Sequence, residues 1–120
     1  MATIYYEKDA DRSVLANRKV AVLGYGSQGH AHSLNLKDSG IDVRVGLRPG
    51  SGSEKKAREA GLKVMSMSEA AAEADVIMML VPDTEHGKIF SEHVLPNLTP
   101  GKMLMVSHGF SIRFGTVVPP

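Results

Sequence analysis

Short apolar runs alternate along the chain with longer stretches of helical periodicity. Residues 19–23 (KVAVL) read as a buried strand, and residues 28–39 as a helix closed by Gly40. A second strand is expected over 42–46 (DVRVG), then a helix capped by Ser53 that runs through Ala60, with Gly61 just past its end. Residues 62–65 form a short third strand. Ser66 and Glu69 have capping-box spacing ahead of the alanine-rich EAAAEA. Residues 75–81 (DVIMMLV) make the most apolar strand, stopped by Pro82. A helix over 85–95 sets Ile89, Phe90 and Val94 on one side, and residues 102–106 (KMLMV) make a fifth strand.

Strand and helix in regular alternation predict a parallel sheet covered on both faces, and near-continuous apolar strands such as VIMML suit burial on both sides. The expected fold is α/β: a doubly wound sheet of about five strands in the order 3-2-1-4-5. The sequence stops at GTVVPP as another connection begins, so the domain is either minimal or truncated.

Composition narrows the function classes. A hydrophobic fraction of 42% supports one ordinary core, and 14 basic against 13 acidic residues leave a formal charge of +1. That balance argues against a nucleic-acid partner. Cysteine is absent, which excludes disulfides, thiolate metal sites and cysteine nucleophiles. The first residues carry no signal-peptide pattern and no apolar run nears the ~20 residues of a membrane span. A soluble cytoplasmic protein without a membrane partner is expected.

Gly24, Gly26 and Gly29 have G-x-G-x-x-G spacing between the first strand and the first long helix, the context that gives the motif meaning. Gly24 permits the tight turn, Gly26 the close approach of a pyrophosphate, and Gly29 the packing of helix on strand. Amides at the helix start then face the phosphates. A turn that merely needs small residues would carry the same glycines. Dinucleotide sites for NAD place an acid ~20 residues further on, at the end of the second strand. Here that place holds Gly46 and Leu47, then Arg48, Ser51 and Ser53, with no acid before Glu54. A guanidinium and two hydroxyls suit a 2′-phosphate, so NADP is favoured over NAD.

Ligands of such sheets bind beyond the carboxyl ends of the strands. The fourth strand delivers VPDTEH there and the fifth delivers SHGFSIRFG, which makes His108 the histidine directly after a buried strand. Asp83 and Glu85 read as capping and dipole partners of the helix they begin. His30 and His32 point in different directions, and His86 and His93 stand two turns apart, so neither pair is a metal site. Dispersed acids offer no metal cluster.

The strings VAVLGYGSQGHAHSLNLKDSG, VRVGLRPGSGS, LVPD and SHGFSIRFG, in this order and spacing, closely resemble the amino-terminal domain of ketol-acid reductoisomerase (acetohydroxy acid isomeroreductase) of the short bacterial type. The resemblance runs from about Tyr5 to the end of the sequence. It implies a Rossmann-like NADP-binding domain over residues 1–120, part of an NADPH- and Mg2+-dependent enzyme of branched-chain amino-acid biosynthesis. Such enzymes shift an alkyl group within 2-acetolactate or 2-aceto-2-hydroxybutyrate, then reduce the 2-ketoacid with NADPH to a 2,3-dihydroxy acid. At matching positions, Tyr25, Gly26, Ser27 and Gln28 line the pyrophosphate loop, and Arg48, Ser51 and Ser53 hold the 2′-phosphate. Asp83, Thr84, Glu85 and His86 border the cofactor, although many relatives have Gln in place of His86. His108 matches the catalytic histidine beside the substrate.

The family's metal-binding carboxylates lie in a following helical domain, so no metal ligand is assigned to this chain, and the 120 residues alone are expected to be inactive. A homo-oligomer is implied for the full-length enzyme. The alternative is a stand-alone, non-catalytic module that binds or senses NADP(H).

Overall fold

Alternation along the central strands sends successive side chains into two separate cores. In β1 (Lys19–Leu23), Val20 and Val22 face one side, while Ala21 and Leu23 face the other. The computed structural model describes residues 2–11, 13–48, 50–107 and 109–119, and of Ser27, Gln28 and Asp83 the backbone alone. A 3-10 turn (Glu7–Asp9) and α1 (Ser13–Ala16) precede β1. Then come α2 (Ser27–Asp38), β2 (Asp42–Leu47), α3 (Ser53–Glu59), β3 (Lys63–Ser66), α4 (Met67–Glu73), β4 (Val76–Met79) and α5 (Asp83–Ile89). The last helix widens into a π-helical turn (Phe90–Val94) and ends in a 3-10 turn (Leu95–Asn97), before β5 (Met103–Val106) and α6 (Phe110–Arg113).

All strand pairs are parallel and the order is β3-β2-β1-β4-β5, as the alternation of elements predicts. One core joins Leu23, Ile77 and Met79 to α4 and to Ile89, Phe90 and Val94. The other joins Val20, Val22, Val43, Val45 and Met78 to Ala57 and Leu62. Sheet residues buried on both faces explain why the strands read as near-continuous apolar runs.

Local signals hold in part. The Ser66 hydroxyl accepts the Glu69 amide at 3.2 Å and caps α4. Ser53, expected as the cap of α3, is instead its first helical residue; Gly52 holds the cap position, and the Ser53 amide donates to the Ser51 hydroxyl at 3.3 Å. The helix expected over 85–95 begins earlier, at Asp83: Pro82 holds the cap position, and its carbonyl accepts the Glu85 amide at 2.9 Å. Among the described residues no helix is long and apolar enough to cross a membrane.

On β2, Arg44 is buried between Asp42 at 2.8 Å and Glu73 of α4 at 2.6 Å. Burial alone would raise the Asp42 carboxyl; hydrogen bonds from Lys63 and Arg44, and their charges, outweigh it and hold the group below its ordinary 3.8. A carboxylate depressed in the folded state stabilises it above the ordinary pKa, and that contribution fades as pH falls through the folded value. Asp42→Asn is therefore expected to be less stable than the parent near neutral pH, with the gap closing below about pH 4. Urea unfolding over this range checks it; a gap independent of pH would refute the assignment.

Candidate nucleotide site

Where strand order reverses beside β1, the chain turns through the glycine loop into α2. Gly24 has φ +102°, in the left-handed region, and a Cβ there would sit 3.1 Å from the Leu80 carbonyl oxygen and the Val81 nitrogen. A Cβ on Gly29 would collide with the Gly24 carbonyl, so α2 packs directly on the turn. Gly26 differs. It caps α2 without a side-chain hydrogen bond, and a Cβ there would meet nothing within 4 Å among the described residues beyond its chain neighbours. The first amides of α2 have no partner within the helix and carry the positive end of its dipole. A helix start with glycine at its cap is the kind of place where a phosphate group can approach the backbone.

Tyr25 lies within this loop, buried, with its ring stacked on His30 at a centroid separation of 5.2 Å. Burial raises its phenol above the ordinary 10.0, so it stays protonated and able to donate at neutral pH. Its hydroxyl has no partner among the described residues.

Beyond β2, Arg48 is exposed while Ser51 and Ser53 are half-buried; Arg48 and Ser51 lie on the connection into α3, and Ser53 is the first residue of that helix. Arg48 forms an ion pair with Glu85 of α5. Glu85, expected as a cap and dipole partner, lies in the first turn of α5 and also reaches across to the end of β2. A hollow of about 160 Å³ lined by Leu47, Arg48, Glu54, Arg58 and Ser66 opens at the same end of the sheet. It is too small to enclose a dinucleotide. A larger cavity of about 640 Å³ lies against β5, between Leu98 and Ile112, and no glycine-loop residue lines it.

At the end of β4, Thr84 is exposed but His86 is only 2% exposed. Its Nε2–H donates to the Val81 carbonyl at 2.8 Å, and Nδ1 lies 2.8 Å from the Ser111 hydroxyl. Residues 86, 89 and 90 share one helix face, and Ile89 and Phe90 are buried, so His86 turns inward with them. The sequence reading set His86 against the cofactor; the fold sets its ring in the interior. Ser111, fully buried, is a residue that nothing in the sequence singled out. His108 lies outside the described residues, on the connection from β5 to α6. Among the described residues no three His, Asp or Glu side chains come together to hold a metal.

Residues 14–120 match the family model of the acetohydroxy acid isomeroreductase NADPH-binding domain. The chain belongs to the ketol-acid reductoisomerase family. An NADH-preferring ketol-acid reductoisomerase from an uncultured archean is 40% identical, with a TM-score of 0.94 over 99% of this chain and 38% of its own. A semialdehyde dehydrogenase NAD-binding protein from Cupriavidus necator, solved with calcium and NAD, is 30% identical over 87% of this chain and 38% of its own, at a TM-score of 0.75. The 3-hydroxyisobutyrate dehydrogenase of Mycobacterium tuberculosis is also 30% identical, covering 75% of this chain and 31% of its own, at a TM-score of 0.67. The chain thus spans well under half the length of these relatives.

As an NADPH-binding domain of the ketol-acid reductoisomerase family, the chain offers a clean test of its loop. Gly26→Ala adds a methyl group that nothing among the described residues beyond its chain neighbours opposes but that a bound pyrophosphate would. Binding of NADPH is expected to weaken about tenfold, while stability changes by about 1 kcal/mol or less. Calorimetric titration and thermal unfolding measure the two effects; unchanged binding would mean the phosphates lie elsewhere.

Proposed function

We propose that the chain is the NADPH-holding part of an enzyme that converts 2-acetolactate or 2-aceto-2-hydroxybutyrate to a 2,3-dihydroxy acid, by alkyl migration followed by reduction. The family match over residues 14–120 carries this reading. The glycine loop holds the pyrophosphate through the amides at the start of α2, with Gly24, Gly26 and Gly29 giving the backbone its approach. Tyr25, Ser27 and Gln28 line that loop. Arg48, Ser51 and Ser53 hold the 2′-phosphate by charge-assisted hydrogen bonds. Asp83, Thr84 and Glu85 form the opposite border, and His86 supports them from within.

When bound, NADPH supplies the hydride that reduces the ketoacid carbonyl. By the family resemblance, His108 would act on the substrate, holding a proton for the oxygen that becomes a hydroxyl. The described residues do not fit Mg2+, for they bring no set of ligands together. The metal belongs to a further helical domain of a homo-oligomeric cytoplasmic enzyme.

Two measurements test the reading. Arg48→Asp with Ser51→Asp and Ser53→Asp sets carboxylates against the 2′-phosphate, so NADPH binding is expected to weaken by about tenfold or more relative to NADH. Equal losses for both cofactors would show that this connection does not read the phosphate. The 120-residue chain, supplied with NADPH, Mg2+ and 2-acetolactate, is expected to show no turnover, because the alkyl shift needs metal-polarised substrate oxygens. Measurable turnover would overturn the assignment of the metal site to another domain.

A further inference from the structure

Dinucleotide sites that accept NAD present a carboxylate to the ribose hydroxyls at the end of the second strand. In this chain the sequence there offers none, and Glu54, the first acid after β2, is turned to Arg58 at 3.0 Å. The fold supplies one from another element. Glu85, thirty-seven positions further along the chain than Arg48, brings its carboxylate from α5 onto the Arg48 guanidinium. The cation that would take a 2′-phosphate and a carboxylate that would take a 2′-hydroxyl therefore meet at one point.

We propose that Glu85 sets the choice between NADP(H) and NAD(H) at this site. The inference rests on the reading of Arg48 as the 2′-phosphate ligand. With NADH, the Glu85 carboxylate keeps its pair with Arg48 and accepts a hydrogen bond from the ribose 2′-hydroxyl. With NADPH, the phosphate dianion displaces Glu85 from Arg48 and is repelled by it. The pair is solvent-accessible, with side chains 57% and 36% exposed, so displacement is a modest penalty rather than a block. Glu85 thus narrows the preference for NADPH that Arg48, Ser51 and Ser53 would give by themselves, and makes the chain a binder of both cofactors.

The test is titration of the parent, Glu85→Gln and Arg48→Ala chains with NADPH and with NADH, with thermal unfolding confirming that each variant is folded. Glu85→Gln keeps the shape of the side chain and removes its charge. It is expected to tighten NADPH by about two- to fivefold and to weaken NADH, so that the affinity ratio rises about threefold or more. A ratio unchanged in Glu85→Gln, or both affinities falling together, would overturn the inference. Arg48→Ala separates the two levels. If it lowers the NADPH-to-NADH ratio while Glu85→Gln leaves it unmoved, the role of Glu85 falls and that of Arg48 stands. If Arg48→Ala leaves the ratio unmoved, the phosphate reading itself falls, and the role of Glu85 with it.

Discussion

The chain leaves β1 through a turn that a residue without a side chain completes, and the helix that follows is pressed onto that turn. Gly24 has φ +102°, and its carbonyl occupies the space that a Cβ on Gly29 would need. The turn is held from both sides: the Gly24 amide donates to the Gly46 carbonyl at 3.1 Å, and the Leu80 amide to the Leu23 carbonyl at 3.0 Å. Its geometry is therefore a property of the sheet rather than of a loop. The strand order reverses here, and Gly26 at the cap of α2 adds no side chain to the helix start.

The sheet's two cores are unlike. On one side α4 lies close to β1 and β2 through Ala70, Ala71 and Ala74, and a Cβ on Gly46 would fall 2.6 Å from Leu23 Cδ2 and 3.1 Å from the Ala70 methyl. Gly46 is thus needed for helix packing and leaves no room at that position for an acidic side chain. Arg44, two residues earlier and on the same face, is tolerated because Asp42 and Glu73 meet it at the rim of this core.

Element order and strand order were legible because their causes are local and periodic: apolar runs, the cap at Ser66, glycines at helix ends. The inward turn of His86 was also legible in principle. Its phase with Ile89 and Phe90 is written in the spacing, and adjacency to the fourth strand is the weaker signal. The meeting of Arg48 and Glu85 was not legible, because only the packing of α5 beside the end of β2 creates it. Nor was the π-helical turn over Phe90–Val94, which no residue type there announces. The cap of α3 failed for a narrower reason: two serines stand two residues apart, and the sequence does not say which one the helix start uses.

Helix α5 ties the ligand side of the sheet together through its opposite faces. Consecutive helical residues point about 100° apart, so Glu85 can reach Arg48 at the surface while His86 enters the core. His86 fastens the end of β4 to α6 through the Val81 carbonyl and the Ser111 hydroxyl. Gly87 continues that contact, since a Cβ there would come 3.1 Å from the Thr116 carbonyl oxygen. The Val117 amide, in turn, donates to the Ser111 carbonyl at 3.1 Å. Helix α6 and the segment after it are thereby moored to the same short helix that carries Glu85. A displacement of α5 would reach the end of β2 through Glu85 and α6 through His86, so neighbouring residues of one turn couple these two segments.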